Sequence, residues 1–329
     1  MQGSESSVDQ RRADDTVTGA GVLPALNELP LNGLSLNALR VPGEPARRLA
    51  VGLFPGAGAV HLYHALDSGY FQQAGLEVNL FEVVSSDQQI GGWNDGDYDI
   101  MHTSPDHLLR GLLRRDPVAV QAEGMGELAV HRRPGPPSPT DRWAVDNARS
   151  AFAFVLRAVL ADVADSPVDD SQLVAVGGAL QRFQVLSTGA VDGTTLHPPF
   201  DVLATEKGYP RLGGHLQVAP DILTGVVVVP RTVATTPHIR AYLEVCRLST
   251  AELLTSGASG IEAALVRHGL PKAVARAAAP GLLGTAGLST SPDVTLRGIE
   301  AVADLRRRFS PAWQPPCPLQ SLIGPSPEH

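Results

Sequence analysis

Short apolar strands alternate with helical segments along most of the chain, and this alternation constrains the fold more than any other feature. A strand is predicted at residues 47–54, a helix ending at Gly75, and a second strand at residues 76–84. Repeated strand–helix–strand order favours a parallel sheet covered by helices on both faces. A proline-rich loop at residues 131–142 interrupts the rhythm, which then resumes. The pattern predicts an α/β fold with two lobes.

Composition excludes several classes of protein. The chain has 329 residues, of which 43% are hydrophobic and 18% charged, so it can bury a large core. A formal net charge of -8 argues against a nucleic-acid partner, because phosphate contacts need clustered Lys and Arg. No apolar run approaches the roughly 18 residues of a membrane span. Cys246 and Cys317 form no CxxC motif, and helical spacing predicts that Cys246 is a buried structural thiol.

The two ends of the chain differ from its body. Residues 1–47 are polar and then carry the pentads "ALNEL PLNGL SLNAL", so we expect a tail there, with partner binding as the alternative. Residues 311–329 are proline-rich and predict a second tail. The start of the sequence lacks the basic and apolar pattern of a signal peptide. We therefore expect a cytoplasmic location for the sequence as it stands, and an extracytoplasmic one if the true N-terminus is longer.

Four stretches carry a resemblance to a known family. They are "DSGYFQQAGLEVNLFEV" (67–83), "GDYDIMHTSPDHLL" (96–109), "VDNARSAFAFVLRAVLA" (145–161) and "VGGALQRFQVLSTGAVDGTTLHPPFDVLATEKGY" (176–209). In order and content they resemble the SsuA/THI5-like group of substrate-binding proteins, over roughly residues 48 to 310.

This resemblance implies the two-lobed, type II periplasmic-binding-protein (Venus flytrap) fold, in which each lobe is a mostly parallel sheet flanked by helices. Residues 48–130 and 223–310 are then expected to form the first lobe, and residues 131–222 the second. The resemblance also implies a small-molecule ligand in the interlobe cleft and an ABC-transporter permease as a partner.

The loops after the strands are the predicted site, because ligands in parallel α/β sheets bind outside the carboxyl ends of strands. The candidate ligand-binding residues on or beside these loops are Phe54, Gly56, His61, Ser85, Ser86, His102, Thr103, Ser104, Asp146, Asn147, Ser150, Gly177, Gly178 and His197. In "GGALQR", the paired glycines allow backbone N–H groups to approach a carboxylate or sulfonate, and Arg182 adds a charge. A plain strand–helix turn explains the same glycines equally well.

Histidines are the candidates for chemistry. His102 and His107 flank a predicted helix start, and His197 ends a strand, so each is a candidate general acid or base. Ser104 is more simply a helix cap than a nucleophile. His61 and His64 are spaced for one helix face, but such pairs are more often solvated or packed. We therefore expect no metal and no cofactor.

These features predict a solute-binding protein for a small organic molecule, anionic or heteroaromatic. The alternative is a cytoplasmic enzyme on the same fold, in which the cleft histidines perform lyase-type or hydrolase-type chemistry. A third candidate is a cytoplasmic ligand sensor or carrier.

Overall fold

The computed structural model describes residues 36–135, 138–163, 167–289 and 293–325. Most of the leucine pentads lie outside the described residues, except for a single 3-10 turn at Leu36–Leu39. The described residues form one compact unit.

Ten strands are described. They are β1 (Arg47–Leu53), β2 (Leu76–Glu82), β3 (Ile100–Thr103), β4 (Pro117–Glu123), β5 (Ala129–Arg132), β6 (Trp143–Val145), β7 (Leu173–Ala175), β8 (Gly193–Leu196), β9 (Arg211–Gly214) and β10 (Gly225–Pro230). The α-helices are α1 (Val60–Asp67), α2 (Tyr70–Gln73), α3 (Ser86–Asp95), α4 (Asp106–Leu109), α5 (Ala151–Val163), α6 (Ala179–Thr188), α7 (Phe200–Glu206), α8 (His215–Val218), α9 (Pro237–Arg267), α10 (Lys272–Leu283) and α11 (Leu296–Phe309).

The strands form two five-stranded sheets, one per lobe, in the orders β2-β1-β3-β10-β4 and β7-β6-β8-β5-β9. In the first sheet β10 is antiparallel to both neighbours, and β5 is antiparallel to both neighbours in the second. The other strands of each sheet run in one direction. The predicted architecture, two lobes with mostly parallel sheets, is therefore confirmed.

Along the described strands, the chain passes from the first sheet to the second between β4 and β5 and returns between β9 and β10. Helix α11 packs against α5 of the second lobe and also contacts α4 of the first. Ile323 forms a parallel bridge with Ala119, so part of the predicted C-terminal tail packs on β4. The predicted lobe boundaries stay a prediction.

Two helix predictions need correction. The helix predicted to run to Gly75 is divided into α1 and α2, because Gly69 adopts a φ of +70° between them. The helix predicted after Ser104 is only the single turn α4, because Gly111, with a φ of +64°, directs the chain away from helical geometry.

The core contains the large side chains Trp93, Trp143, Phe71 and Phe154, all less than 2% exposed. Cys246 is fully buried, and burial raises the pKa of its thiol, as expected of a structural cysteine. No helix among the described residues has the length and apolar character that crossing a bilayer requires.

Candidate functional site

A cavity of about 130 Å³ lies between the two lobes, at the carboxyl ends of strands from both sheets. Its walls come from the loops after β1, β2, β3 and β4 on one side, and from the start of α5, the start of α6 and the end of β8 on the other. Apolar cavities of about 150 Å³ hold one benzene-sized molecule. The cavity therefore suits a small organic ligand.

One part of the cavity wall is apolar. Leu53, Phe54, Leu62, Val83 and Phe152 line it. These side chains come from both lobes, so a ligand against them removes apolar surface of both lobes from water.

Arg182 is the buried cation of the cavity. It projects from α6, is 2% exposed, and lines the cavity. Its Nε donates to the carbonyl of Thr195 at 3.1 Å, and its Nη1 to the carbonyl of Gly177 at 2.6 Å. No carboxylate in the described part of the chain forms a salt bridge with it. Burial lowers the pKa of Arg182, and the charge of Asp146, which also lines the cavity, acts in the opposite direction.

The start of α6 adds further positive character. Its first amide groups, including those of Ala179 and Leu180, have no partner within the helix, and no side chain caps them. Gly177 has a φ of +115°, a backbone conformation that favours glycine. The N–H of Gly178 donates to the carbonyl of Val84 at 3.1 Å, so the lobes touch beside the cavity.

His107 is held as a neutral hydrogen-bond acceptor. The hydroxyl of Thr103 donates to Oε1 of Gln89 at 2.7 Å, and the Thr103 oxygen can therefore accept from Nδ1 of His107, also at 2.7 Å. This assignment leaves Nε2 of His107 without a proton. Burial, followed by the charge of Arg110, lowers the pKa of His107 to about 4.

His197 has a similar state. Its Nδ1 lies 3.1 Å from the carbonyl of Pro198, which can only accept, so Nδ1 carries the proton. Burial, followed by the charge of Arg182, lowers the pKa of His197 to about 4. Both histidines line the cavity and are uncharged at pH 7.

A third group of polar side chains surrounds Glu123, the last residue of β4. Its Oε1 lies 2.7 Å from Nδ1 of His102 and 3.1 Å from Nε2 of His61. The other nitrogen of His102, Nε2, lies 2.7 Å from the hydroxyl of Tyr242 on α9. Burial alone raises the pKa of Glu123, but the charge and hydrogen bond of His102, together with those of His61, outweigh it and leave this pKa well below its usual range. Glu123 is therefore a carboxylate.

Asp106 has a structural partner. Its two oxygens accept from Nε and Nη2 of Arg306 at 2.9 and 3.1 Å, and both side chains are buried. Nη2 of Arg306 also donates to the carbonyl of Arg149 in the second lobe. Asp106 also lines the cavity, and the pair joins α4 to α11.

No protein-family model matches the chain, and no curated protein matches it. Solved structures do. The ligand-binding component of an ABC-type import system from Staphylococcus aureus, with zinc bound, has a TM-score of 0.71 at 14% identity, covering 85% of this chain and 97% of that one. The alkanesulfonate-binding protein SsuA from Xanthomonas axonopodis, bound to MOPS, has a TM-score of 0.65 at 16% identity, covering 85% and 99%.

A Candida albicans protein described as having the generic periplasmic binding protein fold matches with a TM-score of 0.67 at 13% identity, covering 85% of this chain and 96% of that one. The chain has the type II periplasmic-binding-protein fold. The predicted resemblance to SsuA-like proteins is thus confirmed for the fold.

Most of the predicted site residues line the interlobe cavity of this periplasmic-binding-protein fold. They are Phe54, His61, Ser86, His102, Thr103, Ser104, His107, Asp146, Ser150, Gly178 and His197. That each of them contacts a ligand stays a prediction.

The remaining predicted residues lie just outside the cavity lining. Ser85 caps α3 by accepting from the N–H of Gln88. Oδ1 of Asn147 accepts from the N–H of Arg149. The carbonyl of Gly177 accepts from Arg182. A Cβ at Gly56 would lie 3.4 Å from Cε1 of His197, so the backbone of Gly56 lies beside this cavity-lining histidine.

Glu123 and Tyr242 were not among the candidates. Glu123 could have been found, because it is an acidic residue at the end of a predicted strand. No local sequence pattern indicates a role for Tyr242, because it lies on α9, 140 residues after His102 in the chain.

Proposed function

We propose that the chain is a solute-binding protein that captures a small organic anion in its interlobe cavity. The observation that carries this proposal is Arg182, a guanidinium that is 2% exposed, lines the cavity and has no carboxylate partner among the described residues.

The energetic reason is the cost of a buried charge. A charge taken out of water destabilises a protein unless an opposite charge or several hydrogen bonds compensate it. Two backbone carbonyls compensate Arg182 in part. A carboxylate, sulfonate or phosphonate at this position supplies the missing charge, and the amides at the start of α6 add hydrogen bonds.

The other residues that line the cavity indicate the chemistry of the remaining part of the ligand. Phe54, Phe152 and Leu62 offer apolar contact to an aliphatic or heteroaromatic group. Because His107 and His197 are neutral with an unprotonated Nε2, they accept hydrogen bonds from a ligand N–H or O–H group. The proposed ligand is therefore a compact organic acid with a hydrogen-bond donor.

The proposed partner is an ABC permease. Proteins of this fold include an ABC-type import component and a sulfonate-binding protein, and the contact between Val84 and Gly178 is of the kind expected when two lobes close on a ligand. This role needs the protein outside the cytoplasm. Fractionation of cells that carry the native gene tests it, since recovery with the cytoplasmic fraction would contradict the transport role.

The enzyme alternative has less support. A general base is most effective when its pKa lies near the working pH. Two of the three candidate histidines, His107 and His197, have pKa values of about 4 and are weak proton acceptors at pH 7. Both ring nitrogens of the third, His102, already have protein partners, Glu123 and Tyr242.

The test is a thermal-shift panel of matched acids and amides. Nicotinate, benzoate and short alkanesulfonates are compared with nicotinamide and benzamide, using the wild type, Arg182→Met and the control Arg133→Met, whose arginine is exposed on the same lobe. We expect at least one acid to raise the Tm of the wild type and of Arg133→Met, with no shift for Arg182→Met. Equal shifts for an acid and its amide, or an unchanged shift in Arg182→Met, would contradict the proposal.

A further inference from the structure

Three potential metal ligands meet at one edge of the cavity. Nε2 of His61, Nδ1 of His102 and Oε1 of Glu123 all lie within 4.8 Å of one another, and all three residues line the cavity. They come from α1, the end of β3 and the end of β4. Within the part of the chain that the structure describes, no other group of three such residues is this close together.

The contacts of His61 make its Nε2 an electron-pair donor. Its Nδ1 lies 3.1 Å from the carbonyl oxygen of Gly58, which can only accept, so Nδ1 carries the proton. When the ring gives up the proton that it shares with Glu123, Nε2 presents a lone pair to a carboxylate oxygen 3.1 Å away. Two electron-rich atoms stay this close only when a positive centre lies between them.

His102 can also be neutral, with a lone pair directed at Glu123. Its Nε2 lies 2.7 Å from the hydroxyl of Tyr242, which accepts a hydrogen bond when Nε2 carries the proton. Nδ1 of His102 then presents a lone pair to the same oxygen of Glu123, at 2.7 Å.

The charge balance also calls for a cation. The Glu123 side chain is 10% exposed, and no Lys or Arg of the described residues forms a salt bridge with it. Either a proton shared with His61 or a metal ion can neutralise it.

We propose that His61, His102 and Glu123 bind a divalent transition-metal ion of the Zn²⁺ class, with its remaining coordination position open to the cavity. Two imidazoles and one carboxylate are donors that Zn²⁺ uses in sites with an open position. Each metal-binding histidine usually donates its second N–H to a carbonyl or similar acceptor. Gly58 and Tyr242 supply those acceptors here.

The two distances from Glu123 are close to those of a coordinated metal ion, and the two histidine nitrogens lie within 4.8 Å of each other. Tetrahedral coordination at 2.0–2.1 Å places ligand atoms about 3.3 Å apart. The observed separations from Oε1 of Glu123, 3.1 and 2.7 Å, reach that value when the side chains move apart by a few tenths of an ångström. The proposed site differs from the pair of His61 and His64 that the sequence suggested, for which no metal was expected. Nε2 of His64 lies 3.0 Å from Oε2 of Glu252.

A metal here also deepens the proposed function. This extension rests on the proposed function: the open coordination position of the metal gives an anionic or nitrogen-containing ligand a second cationic contact besides Arg182. The metal site itself is tested without any organic ligand, so its failure and that of the ligand proposal are distinguishable.

The experiment is metal titration of tag-free protein stripped with EDTA. Zn²⁺ binding is followed by calorimetry, and Co²⁺ binding by its visible absorption. We expect one Zn²⁺ per chain at this site, and an affinity about 100-fold lower or worse in His61→Ala and Glu123→Ala. Tyr242→Phe removes the acceptor for His102, and we expect a loss of about 10-fold.

The control is His64→Ala, because His64 lies on the same helix, also contacts a carboxylate, and is not part of the site. Its affinity should equal that of the wild type. Circular dichroism checks that each variant folds. Failure of the wild type to bind either ion, or undiminished binding in both His61→Ala and Glu123→Ala, would overturn the proposal.

X-ray absorption at the zinc edge of the wild type needs no variant. We expect two imidazole ligands with oxygen in the remaining positions. A sulfur ligand, or fewer than two imidazoles, would overturn the assignment even if zinc binds.

Discussion

Nε of Arg306 lies 2.9 Å from Oδ1 of Asp106, with the two side chains 5% and 2% exposed. This pair connects residues 200 positions apart and holds α4, which follows the cavity-lining loop after β3, against α11. Removing one partner of a buried pair leaves an uncompensated charge, which costs about 3–5 kcal/mol. Arg306→Met should therefore lower the free energy of unfolding, measured in urea, by that amount.

The matched control is the neighbouring Arg307→Met. Arg307 pairs with Asp304 one helical turn away, and both side chains are exposed. Such surface pairs contribute about 0.5 kcal/mol or less. If the two variants lose equal stability, the buried pair does not have the role described for it.

Acid should destabilise the protein through His107 and His197. The pKa of each is about 4 in the folded chain, compared with about 6.5 when unfolded. Because the unfolded chain binds more protons between these values, the contribution of these two histidines to the free energy of unfolding is nearly constant above pH 7 and falls as pH decreases from 6.5 to 4. Each histidine contributes about 2 kcal/mol to the loss between pH 7 and pH 5.

Urea unfolding at pH 7 and pH 5 checks this prediction. In His107→Asn and His197→Asn, the amide keeps a hydrogen-bond donor but cannot take up the proton, so each variant should lose about 2 kcal/mol less than the wild type between the two pH values. A pH dependence identical to that of the wild type would show that these histidines titrate normally in the folded state.

Two adjacent glycines of α3 should respond in opposite directions to alanine. A Cβ at Gly92 would lie 2.6 Å from Cε2 of Tyr98, whereas a Cβ at Gly91 has no heavy atom within 4 Å. Gly91→Ala should raise the free energy of unfolding by about 0.5–1 kcal/mol, because alanine favours the helix. Gly92→Ala should lower it by about 1–3 kcal/mol through overpacking. Thermal unfolding measures both, and a stabilised Gly92→Ala would show that the Tyr98 ring moves aside freely.

Local sequence patterns predicted the strands and the loops after them, because these elements depend on residues that are close together in the chain. Strand–helix alternation placed β1–β4, and the loops after those strands meet at one edge because the strands are parallel. Phe54, Ser86 and His102 therefore line the cavity, as the strand-end argument expected.

Contacts between distant segments were not predictable in the same way. The pairing of Asp106 with Arg306 and the contact of His102 with Tyr242 join residues 200 and 140 positions apart. Helical spacing suggested that His64 would lie beside His61. The spacing of residues within one helix does not predict which residues of neighbouring strands lie close to it. His102 and Glu123 come from those strands.

The most direct measurement of the central claim is mass spectrometry of the small molecules released from purified protein. Wild type, Arg182→Met and Arg133→Met are purified from the same cells and denatured, and the released compounds are compared. The expected result is an organic acid that accompanies the wild type and Arg133→Met in stoichiometric amount and is absent from Arg182→Met. A neutral or cationic compound, or an acid retained equally by Arg182→Met, would contradict the capture of an anion by the buried guanidinium.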